Sequence, residues 1–278
     1  MSEIDYQQSQ EYWSRVAEEG AARPDFAAGI NPRVPEGAHR FCREGQLKYF
    51  QTLVAPFLTG ADVIDLGCGP ATFALSIAAQ AKSVHGVDVA PHFIEAARSA
   101  ATAQRLSNAT FEVGDFVSWG FRQRYHLAML GSVLQYVGDA ELGPLLGRLH
   151  SALHDEGRVY VRVSVAAKRP WHKKGAYPVI YRSIAQYEEV FRRAGLRVVQ
   201  SEPDHFYTYG DLFTGYFTAL EWLTLGLSRR SSGVQEALLS MILRLRRATL
   251  ASLAACVYRC DLPVPHIRAQ QFLLQKAI

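Results

Sequence analysis

The feature that most constrains the fold of this chain is a glycine-rich turn between an apolar strand and a helix. The segment V-I-D-L-G-C-G-P occupies residues 63–70, so Gly67 and Gly69 follow a short β-branched run. Glycine lets the backbone approach a ligand where a Cβ atom would collide. A dinucleotide-binding turn would carry a third glycine at position 72, where this chain has Thr72. The turn therefore disfavours a dinucleotide and is compatible with a phosphate-free nucleoside ligand.

The sequence that follows this turn has the alternation typical of repeated βα units. Short β-branched runs alternate with Ala-rich helical segments, which predicts an α/β fold with a buried, doubly wound, mostly parallel sheet. Pro91 stands at a predicted helix start and Gly195 just past a helix end, both favoured positions. The predicted strands are 62–66, 83–88, 109–114, 125–131, 157–165 and 196–201, and the helices between them are 72–81, 91–105, 139–153 and 184–194.

Two further regions flank this alternating part. Helices are predicted over 3–20 and 42–58, joined by a Pro/Gly-rich stretch that includes Gly37 and that we expect to be non-helical. A long apolar helical region follows the sixth strand, and the C-terminal residues form a last strand. The predicted divisions are an N-terminal helical lid over 1–60, a core over 61–204, a helical insertion over 205–266 and a final strand over 267–278.

Composition excludes several classes of protein. The 30 Lys and Arg residues against 26 Asp and Glu give a net charge of +4, and they are scattered, so no nucleic-acid partner is expected. The 4 cysteines show no metal-binding or disulfide spacing, which favours a reducing cytoplasm and no metal site. The longest apolar run, 212–227, is interrupted by Glu221 and is shorter than the roughly 20 residues that span a bilayer.

Acidic residues end three consecutive predicted strands. Asp65 lies before the glycine turn, Asp88 ends V-H-G-V-D-V, and Asp115 ends F-E-V-G-D-F. A carboxylate at the second position can accept hydrogen bonds from ribose hydroxyls, and one at the third can accept from an adenine amino group, with Phe116 packed nearby. A single strand-end Asp is more often a helix cap or a solvated turn. The ordered set of three favours a nucleoside site.

At these residues the chain resembles the class I S-adenosylmethionine-dependent methyltransferases. The resemblance covers residues 62 to 201 and rests on D-L-G-C-G-P, V-D-V, G-D-F and L-G-S-V-L-Q-Y-V. The segment L-H-D-E-G-R-V-Y-V resembles the usual L-x-P-G-G of that family, although Asp155 and Glu156 replace the common Pro-Gly. An N-P-P-Y or D-P-P-Y motif does not follow the fourth strand, which disfavours a DNA methyltransferase.

The resemblance implies a seven-stranded sheet and S-adenosylmethionine as the cofactor. Gly67 and Gly69 would border its methionine part, and Asp65 would hold its amino group through water. Asp88 would bind the ribose and Asp115 the adenine. The predicted cofactor-binding residues are Asp65, Gly67, Cys68, Gly69, Asp88, Val89, Asp115, Phe116, Gly131 and Ser132.

Acceptor contacts are expected after strands four, five and six, because ligands bind at the carboxyl ends of parallel strands. His205 beside Asp204 is the first candidate for a general base, since histidine titrates near neutral pH. His172, in K-R-P-W-H-K-K, is a second candidate, although a solvated basic loop is the favoured interpretation there. The predicted acceptor-binding residues are Gln135, Tyr136, Trp171, Tyr207, Tyr209 and Phe213.

Several interpretations of function remain open. The leading one is methyl transfer to a small molecule, at an oxygen of a natural product, glycan or lipid-linked compound. The alternatives are a peptide or RNA methyltransferase and a cofactor-binding regulatory protein without turnover. Aromatic residues of the insertion would line an acceptor pocket, build the insertion's own core, or form a homodimer contact. Segment 234–258 is basic and amphipathic, which favours a packed lid helix over a peripheral membrane contact.

Overall fold

The computed structural model describes residues 6–21, 36–167, 169–175, 178–204 and 267–277. Six α-helices and nine strands lie in these ranges, with short 3₁₀ turns at Ala55–Phe57 and Leu134–Tyr136. The helices are α1 (Tyr6–Ala21), α2 (Glu36–Val54), α3 (Thr72–Ala78), α4 (Pro91–Ala103), α5 (Asp139–Ser151) and α6 (Ile184–Arg193). The strands are β1 (Asp62–Leu66), β2 (Ser83–Asp88), β3 (Ala109–Val113), β4 (Tyr125–Gly131), β5 (Leu153–Ala166), β6 (Trp171–Lys173), β7 (Val179–Tyr181), β8 (Leu196–Pro203) and β9 (Ile267–Lys276).

Seven of the strands form one sheet in the order β3-β2-β1-β4-β5-β9-β8. Strands β1 to β5 pair in parallel, while β9 runs antiparallel to both β5 and β8. The predicted seven-stranded, mostly parallel sheet is confirmed. Because β1 to β5 are parallel, their carboxyl ends meet at one edge, and the loops that follow them lie side by side.

Helices cover both faces of the sheet, as expected when side chains alternate along a buried strand. Ile64 and Leu66 of β1 belong to a core cluster that includes apolar residues of α5 and α6. Val63, which precedes Ile64 and so faces the other side of the sheet, belongs to a second cluster built with α2, α3 and α4. The fold is therefore doubly wound.

Local sequence explains the ends of the helices on one face. Ser183 caps α6 by accepting from the Gln186 amide, and the Gln186 side chain accepts from the Ser183 amide, which completes a capping box. Helix α5 carries acidic residues in its first turn and basic residues in its last, so both ends complement the helix dipole.

Helix α1 lies against the carboxyl edge of the sheet. Its Trp13 packs at 5.6 Å, ring centre to ring centre, from Tyr136 of the loop after β4. Ala17 is buried with Ala90 and Phe93, at and just after the start of α4. The helix therefore covers loops that follow β2 and β4.

Three boundaries differ from the sequence prediction. Helix α2 begins at Glu36 rather than 42, so Gly37 is helical after all. Strand β5 begins at Leu153 rather than 157, with a register shift against β4 that accommodates the extra residues. Segment 168–174 was expected to be a loop, yet it contains β6, which pairs antiparallel with β7.

The predicted insertion 205–266 lies outside the described residues. Within the described part of the chain, no helix is both long and apolar enough to cross a membrane.

Candidate cofactor and acceptor site

The glycine turn after β1 is held against its two neighbouring strands. The Gly67 amide donates to the carbonyl oxygen of Val87 at 2.7 Å. A Cβ atom on Gly67 would lie 2.4 Å from Cγ1 of Val133, and its φ of +71° also disfavours other residues. Gly69 has a φ of +53°, but among the described residues no atom lies within 4 Å of its Cβ position. Packing thus requires glycine at position 67, whereas the space beside Gly69 is open to a ligand.

Asp88 braces this turn from the end of β2. Its Oδ2 accepts from the Gly69 amide at 2.8 Å, and its Oδ1 accepts from the Ala90 amide at 2.9 Å. The side chain is buried, and this burial raises the pKa of Asp88 even though backbone amides donate to it. A carboxylate has about four acceptor positions, so at most two remain for a ligand.

Asp65 is buried at the end of β1, close to Asp88. Burial, and secondarily the charge of Asp88, raise the pKa of Asp65 to about 7. Burial also raises the pKa of the neighbouring Cys68 thiol well above its usual value, with Asp65 and Asp88 adding to the shift. Cys68 therefore stays a thiol at neutral pH. The pair of carboxyl groups makes the turn a favourable place for a cationic ligand group.

Asp115, just after β3, accepts three hydrogen bonds from the protein. Its Oδ1 accepts from the Val117 amide at 2.9 Å and from the Tyr6 hydroxyl at 2.7 Å. Its Oδ2 accepts from the Ser118 hydroxyl at 2.8 Å. The Tyr6 ring meets the buried Phe116 ring edge-on, with centroids 6.2 Å apart. Helix α1 thus contributes a side chain to the predicted adenine end of the site.

The loop after β4 has an unusual conformation at Ser132, whose φ is +65°. The Ser132 amide donates to the Arg162 carbonyl oxygen at 2.6 Å, and the Arg162 guanidinium donates to the Ser132 hydroxyl. Nε2 of Gln135 donates to the Ser132 carbonyl oxygen at 2.9 Å, while its Oε1 is buried without a hydrogen-bond partner among the described residues. This loop also contacts the glycine turn, because Val133 lies against Gly67.

Comparisons with known proteins agree with this geometry. A model of the methyltransferase domain family matches residues 63–157. Aklanonic acid methyltransferase DauC of Streptomyces sp. (strain C5) is 33% identical over 127 residues, which are 44% of this chain and 54% of that protein. An uncharacterised RNA methyltransferase of Listeria monocytogenes is 40% identical over 70 residues, 25% of this chain and 16% of that protein. The chain therefore spans about half, or less, of the curated relatives it matches.

Solved structures share the fold over more of the chain. The [4+2]-cyclase SpnF aligns with a TM-score of 0.65 and 15% identity, covering 100% of this chain and 98% of that one. An O-methyltransferase from a trans-AT polyketide synthase of Brevibacillus brevis was solved with S-adenosylhomocysteine. It aligns with a TM-score of 0.58 and 18% identity, covering 84% of this chain and 73% of that one. Residues 63–157 therefore match the methyltransferase domain family, and the fold is that of the class I S-adenosylmethionine-dependent methyltransferases.

The site fits the S-adenosylmethionine of this methyltransferase family. Its two buried carboxyl groups, Asp65 and Asp88, suit a ligand that carries a cationic amino acid part and a ribose. The open space beside Gly69 admits backbone contact. Asp115 retains an acceptor position on Oδ2 for a donor such as an amino group. Among the described residues no three His, Cys, Asp or Glu side chains cluster as metal ligands.

Asp204, predicted to assist His205, is fully buried. Its Oδ2 accepts from Nε of Arg162 at 2.7 Å and from Nε2 of Gln46 at 3.0 Å, and its amide donates to the Ala269 carbonyl oxygen. These contacts join α2, β5 and β9, so the geometry shows a structural ion pair. His205, Tyr207, Tyr209 and Phe213 lie outside the described residues, and their predicted roles stay predictions.

The predicted acceptor residues Tyr136 and Trp171 lie near one another. Tyr136 is buried in a cluster with Tyr181 and Trp13. The Trp171 ring is tilted over Tyr181 with centroids 4.5 Å apart, and it remains partly exposed. His172 is half-buried in β6, opposite Ile180 of β7. These rings form an aromatic cluster that includes the residue directly after Gln135.

Sequence reasoning missed three residues that shape the site. Tyr6 and Arg162 hold Asp115 and Ser132 as described above. Arg182 is buried and donates to the carbonyl oxygens of Leu134 and Val137 and to Asp139, so it fixes the loop after β4. Arg182 directly precedes Ser183, which caps α6. The local sequence there indicates the start of a helix and gives no sign that Arg182 binds a distant loop.

Proposed function

We propose that this chain transfers the methyl group of S-adenosylmethionine to an oxygen of a small, ring-bearing acceptor such as a natural product. The observation that carries the proposal is the set of acidic side chains at the ends of β1, β2 and β3 around the open space at Gly69. Asp88 would accept from the ribose hydroxyls, Asp115 from the adenine amino group, and Asp65 would attract the methionyl ammonium.

Features on the acceptor side support a small ring-bearing molecule. The buried Oε1 of Gln135 is oriented by its own amide, because Nε2 must face the Ser132 carbonyl oxygen. An unpaired buried acceptor costs about 1–3 kcal/mol unless a ligand supplies a donor, such as an acceptor hydroxyl. Tyr136 and Trp13 supply an apolar wall beside it. The similarity to aklanonic acid methyltransferase points to the same class of acceptor.

For methyl transfer to an oxygen, the protein has to align the acceptor with the methyl group, exclude water and remove a proton. When bound, S-adenosylmethionine supplies a methyl group already activated on a cationic sulfur. Gln135 would accept a hydrogen bond from a second hydroxyl of the acceptor and so orient the oxygen that reacts. The hydroxyl proton would pass to a base, for which His205 is the proposed residue. The loop after β4 would exclude water.

The first test is binding of S-adenosylhomocysteine, measured by titration calorimetry. The wild-type protein should bind it, and Asp88→Ala should weaken binding by at least about ten-fold, because two acceptor positions for the ribose hydroxyls are lost. Lys82→Ala is a matched control, since Lys82 is exposed on Asp62, at the start of β1. Failure of the wild-type protein to bind would sink the proposal.

A second measurement identifies the class of acceptor. It is needed because the fold is shared with a cyclase and part of the sequence is similar to RNA methyltransferases. Labelled S-adenosylmethionine is incubated with the protein and with hydroxylated polycyclic aromatic compounds, peptides or RNA in separate reactions. Label should appear only with the aromatic compounds. Transfer to RNA would favour the Listeria-like alternative, and binding without any transfer would favour a regulatory protein.

A further inference from the structure

The hydroxyl group of Tyr6 contacts one of the two carboxylates proposed to hold the adenosine. It donates to Oδ1 of Asp115 at 2.7 Å, across a sequence separation of 109 residues. Burial and the charge of Asp115 raise the pKa of Tyr6, and the charge of Asp88 raises it further. The phenol therefore remains a neutral donor at neutral pH.

Counting acceptor positions shows what this hydrogen bond does to Asp115. An ionised carboxylate offers about four positions, two on each oxygen. On Oδ1 both are taken, by the Tyr6 hydroxyl and the Val117 amide, whereas on Oδ2 one is taken by Ser118. The position left is on Oδ2, and it can only accept.

We infer that Tyr6 is a positioning residue of the cofactor's adenine subsite, which directs the remaining acceptor position of Asp115 toward the 6-amino group. The inference rests on the proposed function and deepens it, because it assigns the selection of adenine over a 6-oxo purine to a side chain of α1. A 6-oxo purine presents an acceptor at this point, and two facing acceptors repel each other.

The packing of α1 places Tyr6 there independently of this hydrogen bond. The Tyr6 ring stands edge-on to Phe116, and further along the helix Ala17 is buried with Ala90 and Phe93. Gln10, one turn on from Tyr6, donates to the phenol oxygen. The hydroxyl is thus held at the subsite by the helix rather than by Asp115 alone.

The test compares two ligands by calorimetry on the full chain: S-adenosylhomocysteine and S-inosylhomocysteine, which carries a 6-oxo group. Wild type should prefer the first by about a hundred-fold. Tyr6→Phe should weaken the binding of S-adenosylhomocysteine by about ten-fold and change the affinity for S-inosylhomocysteine by less than about two-fold. The reason is that only the 6-amino group donates to the oriented oxygen of Asp115. A purely structural role would weaken both ligands by the same factor.

Two controls separate the possible outcomes. Tyr12→Phe removes the same group from the same helix and should leave both affinities unchanged within about two-fold. In an Asp115→Ala background, Tyr6→Phe should have no further effect on S-adenosylhomocysteine, because its partner is gone. Equal weakening of both ligands, or an undiminished preference in Tyr6→Phe, overturns the inference and leaves the proposed function standing. No binding by wild type overturns both.

Discussion

The fold shifts the pKa of Asp65 into the neutral range, where the shift can be measured. Burial, with the charge of Asp88, raises its pKa to about 7, whereas an unfolded chain would have a value of about 3.9. A folded-state pKa above the unfolded one means that the native state binds more protons between these two values. The contribution of Asp65 to stability is therefore present at low pH and is lost as pH rises through about 7.

This predicts a difference in pH dependence between wild type and Asp65→Asn. Without ligand, the free energy of unfolding of the wild type should fall relative to that of the variant between about pH 4 and pH 7. The reason is that only the wild type has a carboxyl group at position 65 that must ionise while buried. Urea unfolding at several pH values measures the difference. Asp88 titrates in both proteins and interacts with Asp65, so the difference between the curves reports the carboxyl group at position 65 together with its coupling to Asp88. Parallel curves would show that Asp65 is not perturbed in solution.

Much at the scale of elements could be predicted from sequence, because strands buried on both faces and Ala-rich helices leave strong periodic signals. The three-residue strands β6 and β7 carry no such period, and Lys173 and Lys174 favour solvent. The start of α2 was missed because glycine at position 37 is a weak helix former that this helix nevertheless tolerates. The Tyr6–Asp115 contact has no local signal at all.

The loop between β4 and α5 shows how one element depends on a distant side chain. Arg182 donates to two of its carbonyl oxygens and to Asp139, from the start of α6. Arg182→Lys keeps the charge but loses the branched donor geometry, so it should lower the free energy of unfolding by about 2 kcal/mol. Denaturant unfolding measures this.

Arg192→Lys provides the matched control for that measurement. Arg192 is exposed on α6 and, among the described residues, pairs with Glu189, so its replacement should change the free energy of unfolding by less than about 0.5 kcal/mol. Equal effects of the two substitutions would contradict the clamping role of Arg182.

At the scale of the whole molecule, the buried Arg162–Asp204 pair joins segments that are far apart in sequence. Asp204 also accepts from Gln46 of α2, and Arg162 also donates to Ser132 beside the proposed methionyl site. The pair therefore links helix α2 to the loop after β4. This role differs from the catalytic one that the sequence predicted for Asp204.

Two substitutions distinguish these roles. Asp204→Asn removes the charge of a buried carboxylate that pairs with the largely buried Arg162, so it should lower the free energy of unfolding by about 3 kcal/mol. His205→Ala, by contrast, should lower turnover of an identified acceptor while leaving affinity for S-adenosylhomocysteine nearly unchanged. If Asp204 acted only by orienting His205, both variants would lose the same turnover, and Asp204→Asn would unfold at the wild-type denaturant concentration. The unfolding midpoint of Asp204→Asn therefore decides between an ion pair that supports the fold and a carboxylate that serves a base.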